Sequence, residues 1–92
     1  MVRFTFDWDE HNVAHIFRHG VTPAEIEEAA TRRAVVLPSK SVGGEQRWKL
    51  LGKTAAGRYL VVVFTIRSGK FRTVTAHTMN QVERRRYAPQ IG

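Results

Sequence analysis

Tyr59-Leu60-Val61-Val62-Val63-Phe64-Thr65-Ile66, then Ser68-Gly69, then Phe71-Arg72-Thr73-Val74-Thr75-Ala76-His77-Thr78 is the stretch from which the fold is read. Its first run is almost wholly apolar and β-branched or aromatic, as in a central strand covered on both faces. Ser68-Gly69 suits a tight hairpin, and residues 71–78 read as the strand that follows. Upstream, residues 45–53 alternate as another strand, with Thr54-Ala55-Ala56-Gly57 as the turn between. Residues 34–37 read as a further strand ended by Pro38, and residues 39–44 as loop. Strands in hairpin succession predict a four-stranded antiparallel sheet.

The remainder reads as helix. Asp7 to Glu10 has capping-box spacing and predicts a helix over about residues 8–19, with Val13, Ile16 and Phe17 inward and Gly20 as the stop. Thr22-Pro23-Ala24-Glu25 repeats the signal for a second helix to residue 31, with Ile26, Ala29 and Ala30 inward. Its Glu25, Glu27 and Glu28 suit the positive end of the helix dipole. Asn80 to Glu83 caps a last helix, which runs through Tyr87 and stops at Pro89. Val2, Phe4 and Phe6 alternate with Arg3 and Thr5, which predicts a short extra strand at the N-terminus. The expected fold is α+β in a single domain over residues 1–92, with two N-terminal helices and a C-terminal one.

Composition narrows the functional classes. The chain has 92 residues, of which 42% are hydrophobic, enough for a packed core. It has no Cys, so disulfides and Cys-based zinc or redox sites are excluded. No apolar run approaches the roughly 18 residues of a membrane helix. MVRFTFDWDE turns acidic at once, unlike a secretory signal. A soluble cytoplasmic protein without membrane contact is expected. The +7 net charge is unevenly placed: residues 1–31 hold two basic and six acidic residues, whereas residues 32–92 hold 13 basic and two acidic. A net −4 front and +11 back point to a polyanion on the basic part.

Strand registers locate that part. A two-residue loop at Ser68-Gly69 sets Arg67 against Lys70, Phe64 against Thr73, Val62 against Thr75 and Leu60 against His77. A four-residue loop at 54–57 sets Lys53 against Arg58, Leu51 against Leu60 and Lys49 against Val62. Side chains alternate across a sheet. Trp48, Leu50, Tyr59, Val61, Val63, Val74 and Ala76 then form a core face for the N-terminal helices. Arg47, Lys49, Lys53, Arg58, Thr73, Thr75 and His77 share the other face with Leu51, Leu60, Val62 and Phe64. A one-residue slip in either hairpin inverts part of this assignment.

The second face suits a phosphodiester. Lys and Arg neutralise phosphate oxygens, Arg bidentately. His77 is the side chain there able to exchange a proton near neutral pH. The last helix adds Glu83, Arg84, Arg85, Arg86 and Tyr87, and Tyr87 can stack on a base or donate a hydrogen bond. A solvated basic face is the plainer alternative. His11, His15 and His19 recur every four residues on the first helix. Such spacing suits a metal pair, but no Cys or suitably placed Glu completes a site, so the stripe reads as a solvated face and no metal is expected. No Gly-rich phosphate loop, G-x-S-x-G elbow or carboxylate pair on the basic half is present. These absences argue against nucleotide hydrolases, serine hydrolases and two-metal nucleases.

Trp8-Asp9-Glu10 … Arg18-His19-Gly20-Val21-Thr22 resembles the opening of the BrnT family of bacterial type II toxins. The resemblance continues through Leu50-Leu51-Gly52-Lys53-Thr54 … Gly57-Arg58-Tyr59-Leu60 and Val62-Val63-Phe64. It ends at Val74-Thr75-Ala76 … Met79 … Glu83-Arg84-Arg85-Arg86-Tyr87. It implies a RelE-like fold and a toxin that cleaves RNA without metal or other cofactor, inhibiting translation. It also implies a neighbouring antitoxin with a DNA-binding domain, which neutralises the toxin, and leaves room for an oligomer within their complex. In such enzymes the ribose 2′-OH attacks the adjacent phosphate. Arg47, Lys49, Lys53 and Arg58 would neutralise that phosphate, while His77, Tyr87 or Lys53 would position the hydroxyl and help the leaving oxygen. Where the family commonly has Ala-Arg, this chain has Ala76-His77. The departure leaves two outcomes open: weakened activity, or a proton carrier in place of a cation. A non-catalytic nucleic-acid-binding or regulatory protein using the same face is the alternative function, and a module for an acidic partner a third.

Overall fold

A computed structural model describes residues 4–91. Two helices, α1 (Glu10–Phe17) and α2 (Pro23–Thr31), precede four strands, β1 (Val35–Val42), β2 (Glu45–Lys53), β3 (Tyr59–Arg67) and β4 (Lys70–Thr78), and α3 (Gln81–Ile91) follows. The strands form one antiparallel meander in the order β1-β2-β3-β4. The α+β expectation holds.

The central strand β3 is covered on both faces. Leu60, Val62 and Phe64 pack with Leu50, Phe71 and Ala76 beneath Ile16, Val21, Ile26 and Ala29 of the N-terminal helical region. On the reverse face Val61 joins Leu51, Met79 and Ile91, with Val35, Tyr59 and Tyr87 at the margin. The expected core face was therefore right for Trp48, Leu50 and Ala76 and inverted for Tyr59, Val61 and Val63. The cause is the β2–β3 turn. Lys53 pairs with Tyr59, not Arg58, Leu51 with Val61 and Lys49 with Val63. Thr54 is the reason: its N–H donates to the Arg58 carbonyl at 2.8 Å, while its buried Oγ1 accepts from the Arg58 N–H at 3.0 Å. This side-chain closure holds Arg58 in the turn.

A second irregularity lies between β3 and β4. Arg67 faces Lys70 and Phe64 faces Thr73 as expected, but Val63 faces Thr75, so the register shifts around Val74. Val62 then meets Ala76 and Leu60 meets Thr78, rather than Thr75 and His77. The two one-residue departures cancel across the sheet. Lys49 still lies in one row with Thr75, now through Val63, and Leu51 in one row with His77, now through Val61.

Other elements also differ from expectation. β1 runs past Pro38 to Val42 and turns at Gly43-Gly44, both at positive φ. Pro38 is tolerated because β1 is an edge strand. The first helix is capped by Asp9, not Asp7: Asp9 Oδ1 accepts from the N–H groups of His11 and Asn12. The buried Asn12 side chain returns the bond by accepting from Asp9 N–H and donates to the Asp7 carbonyl, both at 2.8 Å. Asn12 and Ile16 thus form the inner stripe, and Phe17 turns outward. α3 continues through Pro89 to bury Ile91. Among the described residues the expected N-terminal strand is one parallel bridge, Phe6 to Phe71; its Val2 and Arg3 lie outside them.

α2 sits close on β2 because Gly52 has no side chain. A Cβ there would meet the Ala29 carbonyl oxygen at 2.9 Å and Ala29 Cβ at 3.2 Å. Gly52→Ala should therefore cost about 1–3 kcal/mol through overpacking, read as a lower urea midpoint. An unchanged midpoint would mean that α2 can lift from the sheet freely.

Candidate functional site

The face of the sheet turned away from α2 carries most of the expected site. Lys49 and Lys53 project from β2 on the same side as Leu51, and His77 occupies the Leu51 row on β4. His77 is exposed, with Nε2 3.4 Å from Glu83 Oε1. Glu83 is held there by its capping role. Its N–H donates to Asn80 Oδ1 at 2.8 Å, and its Oε1 accepts from Asn80 N–H at 3.0 Å. The α3 cap thus sets a carboxylate beside the imidazole. Tyr87 is half-buried beside Leu51 and Val61.

Tyr59, assigned to the other face by the expected register, belongs to this site. Lys53 Nζ lies 5.6 Å and Arg84 Cζ 5.1 Å from its ring centre. Arg86 similarly lies 5.6 Å from the Tyr87 ring centre. Cations over aromatic faces form a surface that can meet both phosphate and base. Arg85 is exposed on α3. Among the described residues, Lys49, Arg84, Arg85 and Arg86 form no ion pair. The sequence signal for Tyr59 was its strand parity, which a five-residue turn reverses.

Two expected phosphate ligands lie elsewhere. The Arg58 guanidinium donates to the Gly20 carbonyl at 2.9 Å, Glu25 Oε2 at 2.7 Å and Thr78 Oγ1 at 2.7 Å. It fastens the α1–α2 corner and α2 to the end of β4. Arg47 lies at the opposite end of β2 beside Glu45, with Nε 3.9 Å from Oε1.

The acidic front half is largely engaged in such fastening. Glu27 accepts from Trp8 Nε1 at 2.8 Å, and Glu28 accepts from Ala55 N–H at 3.1 Å. Arg72 lies 3.5 Å from Asp7 and 2.7 Å from Asp9. The Asn12 N–H foremost, together with Arg72, holds the Asp9 carboxyl below its usual range against partial desolvation. For Glu25, desolvation pushes the pKa up, but hydrogen bonds from Arg58 and Thr22 outweigh it and leave the carboxyl below its usual range.

The histidine stripe is not wholly solvated. His15 Nε2 reaches Thr75 Oγ1 at 3.1 Å, and its ring centre lies 5.5 Å from that of His19. Among the described residues, no group of three or more His, Cys, Asp or Glu could hold a metal ion. None of the described helices is long and apolar enough to cross a membrane.

Arg58→Ala should destabilise the protein by roughly 2 kcal/mol at neutral pH, since it removes charge-assisted bonds and leaves Glu25 without its cation. A carboxyl with a depressed folded pKa stabilises above its unfolded pKa and loses that stabilisation as pH falls through the folded value. The penalty of Arg58→Ala should therefore shrink between neutral pH and about pH 3. Urea unfolding at both pH values tests this, and an equal penalty at both would assign the loss to the Gly20 and Thr78 bonds alone.

No curated protein matches the chain significantly. Residues 8–83 match the family described as ribonuclease toxin, BrnT, of type II toxin-antitoxin system. That span contains the sheet, both N-terminal helices, His77 and the cap of α3, and the chain belongs to the BrnT family of ribonuclease toxins.

Proposed function

We propose that the chain is a RelE-like, cytoplasmic endoribonuclease whose active site is the Lys53–Tyr59–His77–Arg84–Tyr87 face, and that it cleaves RNA without a metal to inhibit translation. The observation that carries this reading is His77 beside Glu83, in the row of Leu51 that Lys49 and Lys53 flank, with Lys53 and Arg84 both near the Tyr59 ring. Lys49, Lys53 and Arg84 neutralise the scissile phosphate, where charge grows in the transition state. Arg85 and Arg86 extend the basic surface for the rest of the strand. With Nε2–H donating to Glu83, His77 presents Nδ1 as the base that takes the proton of the ribose 2′-OH. The 2′-oxygen bonds to phosphorus, the bond to the 5′-oxygen breaks, that oxygen takes a proton from water, and His77 returns to solvent the one it accepted. A 2′,3′-cyclic phosphate and a free 5′-OH result. Tyr87 stacks on a neighbouring base or supplies a hydrogen bond to the leaving oxygen. Arg58 serves as a positioning residue, by holding the end of β4 one residue beyond His77.

The antitoxin partner that the family implies would neutralise the toxin by laying an acidic segment over the same cations. We assign its DNA-binding domain, and any higher oligomer of the pair, to the complex. A non-catalytic RNA-binding protein is the second reading, favoured by Ala76-His77 standing where the resemblance leads one to expect Ala-Arg.

Purified protein should cut RNA in the presence of EDTA. His77→Ala should slow cleavage by about 10²–10⁴-fold, and Lys53→Ala should slow it while the urea midpoint stays unchanged. Expression in bacteria should arrest growth, and the His77→Ala variant should not. Salt-sensitive RNA binding without cleavage would establish the second reading; cleavage that needs a divalent metal would overturn the mechanism.

A further inference from the structure

α1 and the ends of β2, β3 and β4 remote from α3 enclose a cleft of about 400 Å³. It lies at the β4 irregularity, so Thr73 and the offset Val74 form part of its wall. Two groups in that wall lack partners. Thr73 is 1% exposed and its Oγ1 makes no hydrogen bond; Arg47 Nε is buried and makes none either. Its nearest carboxylate oxygen, on Glu45, is at 3.9 Å, beyond hydrogen-bond reach. A buried polar group left unmet costs about 1–3 kcal/mol, so two in one wall mark a site completed by a polar occupant.

The lining sets the sign of that occupant. Arg18, Arg47, Arg67 and Arg72, with His11 and His15, surround the cleft, and Glu45 is its one acidic lining residue. Glu45 lies 3.0 Å from Arg67, and Asp7 and Asp9 engage Arg72. Arg18 forms no ion pair among the described residues. The surplus is cationic, in the planar form that matches phosphate oxygens bidentately.

We propose that this cleft is a second phosphate-binding site, which seats a phosphodiester of the RNA strand away from the scissile one. The assignment to RNA rests on the ribonuclease reading; the assignment to phosphate does not. Arg47 and Leu51, the residue in the His77 row, lie four positions apart on β2, about 13 Å along a strand. Lys49 stands between them on the same face. A strand of RNA laid along β2 therefore crosses three points of positive charge: Arg47 at the cleft, Lys49, and Lys53 beside the His77 row.

Two measurements on the intact protein test the proposal. In the first, inorganic phosphate is titrated and backbone amides are followed by NMR. Saturable shifts are expected at Thr65, Thr73 and Val74. Arg18→Ala and Thr73→Val, the latter keeping the side-chain shape, should each weaken them several-fold without lowering the urea midpoint. Absence of saturable shifts there, or equal affinity in both variants, would overturn the site. In the second, binding of a 2′-O-methyl RNA, which cannot be cleaved, is measured against salt. Arg18→Ala should reduce the slope of log affinity against log salt by about 0.7. An unchanged slope with phosphate still seated would overturn RNA as the source and assign the cleft to a free phosphate anion. Phosphate seated in a protein that neither binds nor cuts RNA would refute the ribonuclease reading and leave the site standing; intact cleavage with no phosphate shift would refute the site alone.

Discussion

Burial of β3 on both faces is the constraint on which the rest of the structure depends. Leu60, Val62 and Phe64 require cover on one side and Val61 on the other. The N-terminal helices supply the first cover, and Met79, Ile91 and Tyr87 the second. A strand so placed has little room for polar side chains of its own, and those of the candidate site stand on its neighbours and at its end. That is where Lys49 and Lys53 stand on β2, His77 on β4 and Tyr59 at the start of β3. The same need for cover carries α3 over the sheet, so Glu83 arrives beside His77 and Arg84 beside the Tyr59 ring.

Strand parity explains what was legible in the sequence. The apolar run at 59–66 and the Ser68-Gly69 hairpin located β3 and β4 because both signals are local. The length of the turn after Lys53 was not local in that sense. It depends on the Thr54 hydroxyl bonding the Arg58 N–H, a contact indifferent to hydropathy. The shift at Val74 likewise lies inside β4, away from any turn residue. Each departure alone would have moved half the site to the wrong face. Together they restored the Lys49–Thr75 and Leu51–His77 rows, although the core assignment of β3 was inverted. The partners of Arg58 were not legible, because a cation in a turn looks the same in the sequence whether or not it is bonded, as here, to Gly20, Glu25 and Thr78.

The charge division also gains a physical meaning. The acidic front half is spent mostly on internal fastening: Glu25 on Arg58, Glu27 on Trp8, Glu28 on Ala55, and Asp7 and Asp9 on Arg72. Only some cations of the back half are taken up in return. Lys49 and the three consecutive arginines of α3 stay outside ion pairs among the described residues, on or beside one face. Folding thus turns a difference between two halves of the sequence into a difference between two faces of the protein. Such a face suits a polyanion.

The central claim is that β2 and β4 build one reaction site across β3. The most direct measurement is a double-mutant cycle on single-turnover RNA cleavage with Lys53→Ala, His77→Ala and the pair. Residues that act on the same phosphate are strongly non-additive. The double variant should therefore be little slower than the slower single variant. If the two losses multiply, Lys53 and His77 act at separate places, and the row across the sheet is not one site.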